Sequence, residues 1–144
     1  MRNFEFRSGP WAELSQDAEV IRREVFIEEQ QIAEADEWDD QDKISRHFVV
    51  YVREENQLQP IATARLLQNN SIGRVAVLKS HRGQGIGREL MLKIIEQAKI
   101  EQRPVLKLSA QVHAIAFYQY LGFSVQGEEY LDCNIPHIDM TMSL

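Results

Sequence analysis

The 144 residues predict an α/β fold, a mixed sheet covered by helices, in the order β-α-β-β-β-α-β-α-β-β. Two observations carry this. Apolar patterns of period two and period 3.6 alternate along the chain, with no repeat, low-complexity tract or linker between them. In RVAVLKSHRGQGIGRELM (74–91), a β-branched segment also runs through a basic, glycine-studded turn into an amphipathic pattern, as a strand passes to a helix. The length suits one domain, residues 1–144, with a core that needs neither disulfide nor metal.

Each element follows from its own pattern. NFEFR (3–7) alternates like a strand. Leu14, Ala18, Ile21 and Val25 share one helical face, so 16–28 reads as a helix with Ser15 as its cap. QIAEADEWDDQDKIS (31–45) is rich in acids, has no sustained period, and reads as an exposed loop. HFVVYVR (47–53) and PIATARLLQ (60–68) are strands joined by a turn, and SIGRVAVLK (71–79) is the next. Ile86, Leu90, Ile94 and Ala98 mark the helix that the glycines open. VLKLSA (105–110) is a strand after Pro104, and AIAFYQYL (114–121) is a short helix ended by Gly122. Two strands near 123–130 and 137–143 close the order.

Composition narrows the chemistry. A formal net charge of −6 opposes non-specific nucleic-acid binding, which needs Lys and Arg to neutralise phosphates. The single cysteine, Cys133, excludes an internal disulfide and a Cys-based zinc site, and no metal is expected. No apolar run approaches the roughly 18 residues of a membrane span, and the first residues lack the apolar middle of a signal peptide. The expected address is the cytoplasm, with no membrane partner.

Gly83, Gly85 and Gly87 exceed what a turn requires. Flanked by Arg82 and Arg88, they suit a helix start whose bared N–H groups admit an anion. No Lys-Ser or Lys-Thr follows them, so this is not the phosphate loop of the nucleotide hydrolases. The GxGxG spacing also departs from the GxGxxG dinucleotide fingerprint, and residues 105–110 supply a strand where that motif needs an acid.

The pattern Arg82-x-x-Gly85-x-Gly87, after a Val-rich strand and before a helix, resembles the acyl-coenzyme A signature (Q/R-x-x-G-x-G/A) of the GNAT superfamily of N-acetyltransferases. AFYQYLGF (116–123) is similar to its A-x-x-F-Y-x-x-x-G-F region. REVFIEEQ (23–30) with the acid-rich loop, and IPHIDM (135–140), resemble a small bacterial branch of poorly characterised acyltransferases. The resemblance spans nearly the whole chain. It implies the GNAT fold and transfer of acetyl from acetyl-coenzyme A (acetyl-CoA) to a primary amine of a small molecule, by direct attack in a ternary complex. A protein or peptide amine, or an acyl-CoA-sensing module without turnover, are the alternatives. A homodimer stays open.

The resemblance also implies a donor site. Amides of Gly83, Gln84, Gly85, Ile86, Gly87 and Arg88 would hold the diphosphate, with charge from Arg82 and Arg88. Main-chain groups of Val75, Ala76 and Val77 would meet the pantetheine. Tyr118 would protonate the departing thiolate. Where the family often has Asn ahead of this Tyr, the chain has Gln111 and His113, either of which can fill the polar role.

The acceptor must lose a proton. An amine of pKa about 10.4 is neutral in only roughly one molecule in 2,500 at pH 7, about 4.6 kcal/mol uphill. Glu28, Glu29, His47, His113 and His137 are candidates to take it, and no spacing singles one out. Asp36, Glu37, Asp39, Asp40 and Asp42 around Trp38 are either a solvated charge run or a funnel for a cationic amine.

Overall fold

The computed structural model describes residues 3–144. Strand β1 (Phe4–Pro10) leads into α1 (Trp11–Arg22), which continues as a π-helical turn (Arg23–Glu29). A four-residue helix α2 (Glu34–Glu37) and a 3₁₀ turn (Asp42–Ile44) precede the meander β2 (Arg46–Glu54), β3 (Gln57–Leu66) and β4 (Ser71–Val77). Helix α3 (Ile86–Ile100) crosses to β5 (Val105–Gln111). Helix α4 (Ile115–Leu121) then leads to the hairpin β6 (Ser124–Asp132) and β7 (Ile135–Ser143).

All seven strands form one sheet, ordered β1-β2-β3-β4-β5-β7-β6. Among the described residues, only the central β4–β5 pair is parallel. Alternation along β2 shows how both faces are covered. Phe48, Val50 and Val52 join the core with Leu90, Met91 and Ile94 of α3, while Val49 and Tyr51 join Leu14, Ala18 and Ile21 of α1. Each such aliphatic side chain contributes about 1.5–3 kcal/mol by leaving water.

The central pair positions the site. Strands β4 and β5 meet only at Ser71↔Lys107 and Ile72↔Leu108. Beyond that point they part, so Gly73–Val77 keeps one edge off the ladder. On its other edge β4 carries a bulge: three steps from Gly73 to Ala76 oppose two from Arg65 to Thr63, and Arg74 takes φ 53°.

Three expectations need correcting. The first helix begins at Trp11, so Ser15 lies inside it and caps nothing; Trp11 packs on His47, with ring centroids 4.6 Å apart. The same helix widens after Arg22 to π geometry, with Gln30 N–H reaching Val25 C=O at 3.1 Å. Finally, 31–45 is not simply an exposed loop. Glu37 and Asp42 are buried, and the segment folds over α1 and the bulge of β4.

Candidate active site

The gap between β4 and β5 opens into a cleft of about 1050 Å³. Its floor is the parted strands, from Gly73 to Val77 on one side and Leu108 to Gln111 on the other. The π-helical turn contributes Val25, Phe26 and Glu29 to its wall. This local widening fits the site, because π turns aim side chains that a regular helix would place elsewhere.

At one end lies the glycine turn. Gly83 and Gly85 adopt φ +75° and +81°, a region other residues enter at a cost, and Gly85 sits at the N-cap of α3. A Cβ on either would meet nothing within 4 Å. Gly87 differs. It has ordinary helical φ, and a Cβ there would lie 3.5 Å from Phe117 and 3.7 Å from Val77. Gly83, Gly85, Ile86, Gly87 and Arg88 line the cleft, Ile86 through a buried position; Gln84 is exposed and does not line it. The first amides of α3 lack intrahelical partners by position, and the positive end of its dipole faces the same way. An anionic diphosphate fits this end.

Arg82 is engaged more than a surface cation would be. Its Nη1 and Nη2 donate to the two carboxylate oxygens of Glu29 at 2.7 and 2.8 Å, and Nε donates to the Val77 carbonyl at 2.9 Å. The pair ties the glycine turn to the π-helical turn across the cleft. Hydrogen bonding from Arg82 also holds the Glu29 carboxyl below its ordinary range. Arg88 is exposed, 3.6 Å from Glu89. Val75 lies on the stretch of β4 that β5 abandons, while Ala76 is in register with Thr63 of β3.

Tyr118 lies in the middle of the cleft wall, 8% exposed, edge-on to Phe117 and Phe123. Burial pushes its phenol up to about 12, so it is a protonated group at neutral pH. Tyr120, two residues on, is 81% exposed. Gln111 donates to the Gln30 side chain at 3.0 Å and accepts from His113 Nε2 at 2.8 Å, so the position where the family often has Asn bridges β5 to the end of the π turn.

The candidate proton acceptors separate clearly. His137 and Glu29 line the cleft, as does the exposed His113. Glu28 is exposed and outside it. His47 is buried away from the cleft, beneath Trp11, with Nε2 2.9 Å from the Asp42 carbonyl. Among the described residues, no group of three or more His, Cys, Asp or Glu is placed to hold a metal ion, and no helix is long and apolar enough to cross a membrane.

The acid-rich segment has its own partners. Arg22, 1% exposed, donates to Glu37 at 2.8 Å and Asp42 at 2.7 Å. Arg65 reaches Asp39 at 2.7 and 2.8 Å and Asp42 at 2.9 Å. Arg74, on the bulge, donates to the Glu37 carbonyl at 2.8 Å, and its Nε lies 3.1 Å from the Glu37 carboxylate. The guanidinium of Arg22 also lies 5.0 Å from the Trp38 ring. Glu37, Asp39 and Asp42 therefore neutralise arginines of the protein itself and are unavailable to a cationic acceptor. Sequence reasoning missed this network and the Glu29–Arg82 clamp because their members lie 15 to 53 residues apart. Buried-looking arginines in apolar patterns, Arg22 beside Ile21 and Arg65 beside Leu66, were the available signal.

A family model described as the acetyltransferase (GNAT) domain matches residues 13–144. The chain belongs to the GNAT acetyltransferases. It is 36% identical over 129 residues to the uncharacterised N-acetyltransferase YjcF of Bacillus subtilis (strain 168), covering 86% of this chain and 89% of that one. A solved acyl-CoA N-acyltransferase from Pseudomonas aeruginosa superposes with a TM-score of 0.82 at 30% identity, over 98% of this chain and 100% of that one. More distantly, a GNAT family acetyltransferase from Elizabethkingia anophelis with acetyl-CoA bound shares the fold at a TM-score of 0.56 and 20% identity, over 70% of this chain and 77% of that one. As a GNAT member with such relatives, the protein is an acetyl-CoA-dependent acyltransferase.

Proposed function

We propose that this GNAT enzyme, acting through residues 1–144 as one catalytic unit in the cytoplasm, transfers acetyl from acetyl-CoA to a primary amine of a small molecule by direct attack. The observation that carries it is one cleft shared by an abandoned strand edge, a glycine-opened helix start and a buried phenol. The diphosphate would lie against the amides of residues 83–88 and the pantetheine along Val75–Val77, which brings the thioester to Tyr118. The amine nitrogen attacks the thioester carbonyl carbon and a C–N bond forms. The C–S bond then breaks, the thiolate takes the Tyr118 proton, and the proton lost by nitrogen balances the one supplied. Burial keeps the Tyr118 phenol protonated at neutral pH, so it holds a proton to give as negative charge builds on sulfur.

Ile32 and Asp36 on one side and Cys133 and Ile135 at the β6–β7 turn on the other also line the cleft, which is open enough there to admit a small amine from solvent. The test is thiol release from acetyl-CoA with a panel of primary amines, run beside mass-spectrometric detection of acetylated peptides. Thiol release with free amines supports the reading. Peptide modification alone would replace the acceptor class, and donor binding with no turnover on any acceptor would make the protein a sensor.

A further inference from the structure

We propose that His137 is the group that takes the acceptor's proton, presenting the lone pair of Nε2 to the cleft because the Ile135 carbonyl holds its other nitrogen. This rests on the amine-acetylation reading above and names the half of the reaction that Tyr118 does not perform.

The geometry begins with the tautomer. Nδ1 of His137 lies 2.7 Å from the Ile135 carbonyl oxygen. A carbonyl can only accept, so Nδ1 carries the hydrogen and the neutral ring has its lone pair on Nε2. Nε2 has no hydrogen-bond partner among the described residues, although His137 is only 9% exposed and lines the cleft. Register fixes its place: it opposes Gln111 on β5 and Tyr130 on β6, next to the bridge that reaches Gln30. The Tyr130 ring lies nearly parallel to the imidazole, 22° and 6.2 Å away, and its hydroxyl is occupied by Asp139 at 2.6 Å and by Ser109. Tyr130 therefore brings no competing group to Nε2, and among the described residues the Ile135 carbonyl alone holds the ring.

Glu29 is otherwise engaged: both its oxygens are held by Arg82, which also lowers its affinity for a proton. His113 donates from Nε2 to Gln111 and so keeps a lone pair on Nδ1, but its ring is exposed where His137 is buried in the cleft. Glu37 reaches the cleft, but its carboxylate is held by Arg22 and Arg74. The titratable groups nearest His137 are Tyr130 and Asp132 of β6, Cys133 of the turn and Asp139 on its own strand. His113, Asp36, Arg74 and Tyr118 are among the other charged or titratable groups that line the cleft, and β5 brings Ser109 and Gln111, which do not titrate.

Two measurements test this. In protein labelled with ¹⁵N-histidine, the resonance lost in His137→Asn should report hydrogen on Nδ1 and a bare Nε2 at neutral pH; hydrogen on Nε2 would overturn the assignment. His137→Asn suits the second measurement because its amide can still donate to Ile135 while removing Nε2, and a melting curve checks that it folds. At pH 7.5 a strongly basic alkylamine, pKa about 10.4, is neutral in roughly one molecule in 800, whereas an α-amine of pKa about 7.7 is close to 40% neutral. The variant should therefore lose about a hundredfold or more in kcat/KM for the alkylamine and far less for the α-amine. The alkylamine deficit should shrink as pH rises toward 9. Equal losses for both amines with no pH dependence would make His137 a packing residue, and wild-type rates in the variant would remove it altogether. Failure of the parent reading looks different: wild type itself releases no thiol with either amine.

Discussion

Gly85 and Gly87 do different work although one signature contains both. At Gly85 the backbone is the constraint, since φ is +81° and the space beside it is open. Gly85→Ala should cost about 1–2 kcal/mol of stability through left-handed strain. At Gly87 the backbone is ordinary, and a methyl would make only van der Waals contact with Phe117 and Val77. Gly87→Ala should melt close to wild type, because Gly87 lies in the first turn of α3, where the advantage of Ala over Gly is smaller than the roughly 0.8–1.0 kcal/mol of a helix interior. It should nonetheless weaken acetyl-CoA tenfold or more in calorimetry if the diphosphate rests on this helix start; unchanged affinity would move the diphosphate elsewhere. Tyr118→Phe separates chemistry from packing in the same way. No hydrogen bond to its hydroxyl is found among the described residues, so stability and donor affinity should hold while turnover falls about a hundredfold. Wild-type turnover there would leave the thiolate to be protonated by water. These residues were legible beforehand because the glycine turn and the Phe-Tyr helix are local patterns. Arg82 and His137 were also named from the sequence, but the Glu29 partner of Arg82, 53 residues away, was not legible because only the fold brings the two together.

Among the elements, the acid-rich segment departs most from its sequence reading. Strand and helix periods are short-range, so the succession of the seven strands along the chain was legible but not their neighbours in the sheet, and a charge run does not reveal partners on α1, β3 and β4. A π turn is likewise invisible to a 3.6-residue period. The network gives the segment measurable behaviour. Asp42 is almost fully buried between Arg22 and Arg65, and removing one partner of a buried pair costs about 3–5 kcal/mol. Asp42→Asn should thus melt far below wild type, while exposed Asp40→Asn should not; a thermal scan compares them, and equal melting would deny the network a structural role. Acid should loosen it in two stages. Burial holds the His47 imidazole below its ordinary range, so its contribution is full above about pH 6.5 and is lost as pH falls below that. The Arg65 guanidinium holds Asp39 down at about 2, so its contribution is full above about pH 4 and is lost between about 4 and 2. Melting temperatures from pH 8 to 3 should fall in that order, with His47→Gln flattening the upper step and Asp39→Asn the lower. A flat profile down to pH 4 in wild type would show that His47 is not a buried neutral group.

On the scale of the whole molecule, the sheet is joined at its centre by two residue pairs, Ser71↔Lys107 and Ile72↔Leu108, before the halves part. One half is β1 to β4 and the other is β5 to β7 with α4. A ligand lying in the gap would touch both and act as the missing ladder. Because it binds only the folded chain, the donor should stabilise by RT ln(1 + [L]/Kd), about 2.7 kcal/mol at a hundred times its Kd. For a chain of this size that is roughly 5–10 °C in melting temperature, at about 2–4 °C per kcal/mol. The location of the effect matters more than its size. Amide hydrogen exchange with coenzyme A present should slow at residues 75–77, beside the gap that β5 leaves, and at 83–88, the turn and first residues of α3, while β1 and β2 on the far edge should exchange as before. Pantetheine, which lacks the diphosphate, divides the two regions: it should slow 75–77 and leave 83–88 unchanged. Protection confined to β6 and β7, or protection of 83–88 by pantetheine alone, would mean that the donor does not run from the helix start along the abandoned edge of β4.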